Sequence, residues 1–163
     1  MGEEICELFE KNIALLSSSF SEAMSNVFRE YKCLQDCGRK GELANVYISL
    51  LLSGVICKSE WFHIGLYDEK NMNDVTECSV LWGVDVIARG FYEYIDDLRS
   101  KLGRTERYDK SEMLIEEIDK LTPIIECFLI EIIEANSFDF AKGCRWHFGE
   151  YLGGTELVWR TSE

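Results

Sequence analysis

One apolar stripe constrains this chain more than any other feature. Ile5, Leu8, Phe9, Ile13, Leu16, Phe20, Met24, Val27, Phe28, Tyr31 and Leu34 recur at intervals of one, three and four residues. Only an α-helix brings such positions onto one side. The stripe predicts a first helix of about nine turns, against the usual three or four. Cys37-Gly38 and the following Arg39-Lys40-Gly41 end it, with glycine available for a left-handed C-cap.

Glu42 to Cys57 reads as a second helix. Leu43, Val46, Tyr47, Leu50, Leu51, Val55 and Ile56 form one apolar set, and Ile48 and Leu52 fill other faces. A helix apolar nearly all round belongs at the centre of a fold. Trp61 to Tyr67 is rich in aromatic and β-branched residues and precedes Asp68-Glu69-Lys70-Asn71, so it reads as a strand and a turn. A third helix runs from Val75 or Val84 to Leu102, with Gly103 at its C-cap. A fourth starts near Ser111 and carries Leu114, Ile118, Leu121, Ile125, Phe128, Ile132 and Ala135 on one stripe, with Pro123 expected to kink it. Two short runs, Arg145 to Tyr151 and Thr155 to Trp159, flank Gly153-Gly154 and suggest a terminal β-hairpin. An irregular tail packing its Trp rings on the helices is the alternative. The expected fold is therefore mainly α. It is one domain over residues 1–163, a bundle of four principal helices around Leu43–Cys57, with a minor β-hairpin near the C-terminus.

Charge narrows the function. The chain has 17 basic and 30 acidic residues, a net charge of −13. Phosphate affinity comes from clustered Lys and Arg, so neither a nucleic acid nor an anionic membrane is the expected partner. The longest nearly uncharged run, Ala44 to Cys57, is shorter than the roughly 20 residues that span a bilayer. Met1-Gly2-Glu3-Glu4-Ile5-Cys6 lacks the basic and apolar regions of a secretory leader, and Cys6 stands where N-myristoylation needs Ser or Thr. Seven cysteines make an odd count, so reduced thiols in a cytoplasmic protein are expected.

Three constellations invite a chemical reading. Glu60-Trp61-Phe62-His63 has the Glu-x-x-His spacing of carboxylate-bridged di-metal bundles, but such a site needs a second copy that is missing here. Cys33, Cys37, Cys144 and His147 make a Cys₃His set that tetrahedral zinc accepts, at a spacing unlike the usual zinc motifs. Cys144 and His147 would face opposite sides if their segment is a strand, which separates nucleophile from base. No serine-nucleophile elbow, phosphate loop or dinucleotide fingerprint occurs. The expectation is a non-catalytic chain without metal or cofactor.

The acidic residues are unevenly spread. Between Asp109 and Asp139 nine carboxylates face two lysines, a net −7, with Glu112, Glu116 and Asp119 stacked at helical spacing. Glu60, Asp68, Glu69, Asp74 and Glu77 form a second group with Lys70 alone opposing them. Such groups serve either as solvated faces or as fields that steer a basic partner. Trp61, Trp82, Trp146 and Trp159 beside them suit either interface anchors or lids over the bundle ends.

In this overall character, and in Leu66-Tyr67-Asp68-Glu69 and Phe148-Gly149-Glu150-Tyr151, the chain resembles the immunity proteins of bacterial polymorphic and contact-dependent toxin systems. The resemblance implies a cytoplasmic inhibitor of one basic toxin domain, for instance a nuclease, whose active site it occludes. The candidate binding residues are Glu112, Glu116, Glu117, Asp119, Asp68, Glu69, Glu150 and Tyr151. Two other readings stand beside it: a metal-binding helical bundle or enzyme using Glu60 and His63, and a scaffold self-associating through the first helix.

Overall fold

Asn45–Leu50, within the segment expected to be the central helix, is instead the central strand of a sheet. The computed structural model describes residues 2–70, 73, 76–102, 110–136, 138–151 and 153–160. Along them run α1 (Gly2–Asp36), β1 (Asn45–Leu50), α2 (Leu52–Cys57), β2 (Phe62–Tyr67) and β3 (Ser79–Trp82). Then follow α3 (Asp85–Leu102), α4 (Lys110–Ala135), a 3-10 turn (Asp139–Ala141), β4 (Arg145–Glu150) and β5 (Thr155–Arg160). The strand order is β3-β2-β1-β4-β5; β1 and β4 are parallel and the other pairs antiparallel. The mainly-α bundle is thereby corrected to an α+β fold, 60% helix and 19% strand among the described residues, and the terminal hairpin is two strands of a five-stranded sheet.

The physical reason lies in Asn45-Val46-Tyr47-Ile48-Ser49-Leu50, where polar or amphipathic residues alternate with aliphatic ones. That is the period of a strand with one face buried in a core. Val46, Ile48 and Leu50 are fully or almost fully buried on one face, opposite Leu66, Ile64 and Phe62 on β2 and beside Trp146 and Phe148 on β4. α2 holds only the last turn and a half of the expected helix. Its Gly54 is forced by packing, because a Cβ there would lie 1.8 Å from the Glu60 carbonyl oxygen. The strand expected over Trp61–Tyr67 is β2, whereas β3, only four residues long, was not expected.

The helices layer on the aliphatic face. The α1 stripe is buried through Ile5, Phe9, Leu16, Phe20, Met24, Val27 and Tyr31. Phe20 meets the rings of Trp82, Phe138 and Trp146 at centroid distances of 5.0, 5.8 and 6.4 Å, and Phe9 stacks on Phe128 of α4 at 4.5 Å. These edge-to-face and offset arrangements fit the quadrupoles of the rings. The α1 stripe therefore faces the core of its own chain, and Leu15, outside the stripe, is a large apolar residue of α1 that is exposed.

The helix ends follow the expectation at α1. Gly38 sits at φ +68°, Arg39 N donates to Leu34 O and Gly38 N to Gln35 O, the paired bonds of a Schellman cap. α3 starts at Asp85, and α4 runs through Pro123. The expected C-cap at Gly103, the alternative helix start at Val75, and Asn71, Asp74 and Asp109 lie outside the described residues. No helix among the described residues is long and apolar enough to cross a membrane.

Candidate functional site

Two surfaces hold the residues of interest. The first is the outer side of α4. Leu114, Ile118, Leu121, Ile125, Leu129 and Ile132 turn into the core, so helical geometry sends Glu112, Glu116, Asp119, Glu131 and Glu134 to solvent. Glu126, half-buried, continues the line formed by Glu112, Glu116 and Asp119. It rims a cavity of about 500 Å³ together with Glu150 and Glu156, over a floor that includes Leu50 and Phe148. Gly149 also lines it, and a Cβ there would lie 2.2 Å from Gly154 O, so glycine lets the β4–β5 turn close over the strand. The fold thus brings Glu150 beside the acidic helix, across a sequence gap that spacing alone does not bridge.

Two candidate carboxylates hold the fold together instead. Glu117 is 7% exposed and ion-paired to Lys120 at 2.6 Å. Burial and Glu117 together push the Tyr94 phenol above its ordinary pKa. Asp68 is 1% exposed; its Oδ2 accepts from Gly41 N at 3.0 Å and its Oδ1 from Lys70 N at 2.9 Å. Both side chains are buried within this chain. Glu69 and Tyr151 are exposed, but both lie by the sheet rather than on α4.

The second surface is the face of the sheet turned away from the core. The register aligns Asn45, Tyr47 and Ser49 of β1 with Tyr67, Gly65 and His63 of β2 and with Arg145, His147 and Gly149 of β4. Ser79 and Leu81 extend the face on β3, and Thr155 and Leu157 on β5. The aromatic rings lie against one another: Tyr47 stacks on His147 at 4.3 Å and meets Tyr67 edge-on at 5.3 Å. His63 meets Tyr151 at 4.8 Å. Leu81, Leu157 and Tyr151 are 52%, 55% and 43% exposed, so this layer carries three large apolar side chains into solvent.

The electrostatics of this face are muted. Burial lowers the pKa of His63 against an opposing pull from Glu77, whose Oε1 lies 3.8 Å from Nε2. His63 Nε2 has no hydrogen-bond partner among the described residues. Burial first, and then the Arg145 charge, lowers His147. Both imidazoles are thus biased to the neutral form.

The metal readings lose their geometry. His63 lies within a strand and Glu60 is exposed ahead of it, so helical Glu-x-x-His spacing does not apply. Cys33 and Cys37 are exposed at the end of α1, whereas Cys144 is buried and its thiol meets Leu43 O at 3.3 Å. Burial pushes the Cys144 thiol up to about 11, away from the thiolate that metal binding or nucleophilic attack needs. Its neighbour His147 faces the other side of the sheet. Among the described residues no group of three or more His, Cys, Asp or Glu is arranged to hold a metal ion.

The aromatic face was missed because its residues are scattered over the sequence. Its signal was the two alternating runs, Asn45–Leu50 and Arg145–Glu150. Comparison with protein families, with curated proteins and with solved structures finds no match to this chain.

Proposed function

We propose that the chain is a non-catalytic inhibitor that binds a basic protein, as its resemblance to immunity proteins implies, with a toxin domain as the target. The observation that carries this reading is the exposed line Glu112, Glu116 and Asp119 leading to the cavity rimmed by Glu126, Glu150 and Glu156. Carboxylates at this spacing offer a phosphate-binding cleft the charges it would take from its substrate, and the cavity offers room for one Arg or Lys side chain. Lys120 sits in the same region, but its ammonium is bonded to Glu117. Asp68 and Glu117 drop out of the binding set, and Glu126 and Glu156 enter it.

The test is capture of a partner from the native cell by the tagged chain at about 0.05 M and about 0.3 M salt, with Glu112→Lys/Glu116→Lys/Asp119→Lys as control. One basic protein recovered at equal stoichiometry, weakened by salt and lost with the charge-reversed chain, is the expected result. Equal recovery by both chains would remove α4 from the interface.

A further inference from the structure

We propose that the free edge of β3 docks an extended basic segment of another protein, which adds to the sheet as a further strand. The first observation is the direction of the β3 backbone. Leu66 N donates to Cys78 O at 2.9 Å, which makes these two a hydrogen-bonded pair. Such pairs alternate along an antiparallel ladder, so Val80 and Trp82 bond inward to Ile64 and Phe62. Ser79 and Leu81 then turn their N–H and C=O groups to the free edge. Among the described residues none of these outward groups has a hydrogen-bond partner. The opposite edge, β5, is blunted by a bulge against Trp146 and His147, whereas β3 pairs with β2 without a register shift.

The second observation is the groove along this edge. A cavity of about 560 Å³ lies between α1 and β3, lined among others by Ser19, Glu22 and Asn26 of the helix and Val80, Leu81 and Trp82 of the strand. Successive side chains of an added strand point to opposite faces. Every second one enters this groove, and the others lie beside Leu81, which is 52% exposed. The third observation is charge. Glu22, Glu60 and Asp85 line the groove, and all three are exposed. A Cβ on Gly83 would stand 3.6 Å from Asp85 Oδ1 and 3.9 Å from Glu60 Cγ, so these two side chains converge on the end of β3. Among the described residues none of the three carboxylates is ion-paired. Lys58 also lines the groove, with its Nζ 4.7 Å from the centroid of the Tyr92 ring. The occupant that fits is a strand with Lys or Arg at alternate positions: backbone bonds to Ser79 and Leu81 hold it, and the carboxylates select its charge. A second copy fits poorly, because joining two β3 edges would bring both sets of carboxylates together in chains of net charge −13.

This site does not depend on the proposed inhibitory function, since the α4 cavity is lined from β4 and β5, towards the other edge of the sheet. The probe is a peptide of about eight residues alternating Lys and Thr, acetylated and amidated, which is long enough to cover β3. A second peptide carries Glu for Lys, and a third keeps the lysines but is N-methylated at every residue. Binding is measured by titration calorimetry, and its place by amide hydrogen exchange followed residue by residue. The lysine peptide is expected to bind with a dissociation constant below about 1 mM and, at saturation, to slow exchange of the Ser79 and Leu81 amides by about fivefold or more. The other two peptides are expected to bind weaker by about tenfold or more. Leu81→Pro removes one outward donor at an edge position, where proline is tolerated, and is expected to weaken the lysine peptide to the same degree. Glu22→Lys/Asp85→Lys tests the charge without touching the strand. No binding up to about 1 mM, binding that leaves the Ser79 and Leu81 amides unprotected, or equal binding of the lysine and glutamate peptides would each overturn the proposal. Protection of those amides that grows with the concentration of the chain alone would assign the edge to a second copy and overturn it as well.

Discussion

The outer line of α4 and the open face of the sheet belong to opposite layers of one small molecule, and their chemistry is opposite too. α4 presents carboxylates at one-turn spacing with a lysine already paired. The sheet face holds stacked rings, a buried His63 beside exposed Glu77, a half-buried His147, one arginine and exposed leucines. A net charge of −13 is therefore concentrated rather than uniform. The field of the helix carboxylates reaches over roughly the 10 Å that salt leaves unscreened. The ring contacts of the sheet face are short-ranged and depend on geometry. Charge on the whole chain said little about where either surface would lie.

The largest way to break the comparison is to remove part of the core that lies between the two surfaces. Trp146 is fully buried between Phe20 and Phe138 on the core face of β4. Trp146→Ala should cost about 3–5 kcal/mol. Urea unfolding read by fluorescence of the remaining tryptophans checks this, and both surfaces should fail together.

Asp68→Ala sharpens it. The substitution strands Gly41 N and Lys70 N, so a loss of about 1–3 kcal/mol is expected. Partner association should be unchanged once measured on folded protein. A slower association with intact stability would return Asp68 to the binding surface.

A smaller effect separates the sheet face by pH. The folded pKa of His63 lies below the ordinary 6.5, chiefly through burial. The unfolded chain therefore takes up its proton first as pH falls. The stability contribution is complete above about pH 6.5 and is lost as pH drops towards the folded value. His63→Gln should flatten the decline in urea midpoint between about pH 7.5 and about pH 5.5, whereas Glu116→Gln should not. His147 contributes in the same direction.

The sequence carried the helices well because their stripes are long: α1, α3 and α4 each fall close to the segments marked by periodicity. It misled at Leu43–Cys57 because counting Tyr47 as simply apolar hid a period of two inside a dense apolar run. Short buried strands and buried helices look alike at that length. β3 escaped because four residues beside Gly83 carry too little pattern. On α4, exposure of Glu112, Glu116 and Asp119 was legible from spacing. The burial of Glu117 was not, since it depends on α3 approaching through Tyr94. The pairing of Tyr47 with His147 needed the parallel register of β1 and β4, which no local signal encodes.

The most direct test of the acidic-inhibitor reading is stopped-flow association of the chain with the captured basic protein from about 0.05 M to about 0.5 M salt. Wild type and Glu112→Lys/Glu116→Lys/Asp119→Lys would be compared. The account predicts a rate constant that falls steeply with salt for wild type, and a rate at least tenfold lower and nearly salt-independent for the variant. Parallel salt slopes for the two chains would contradict it.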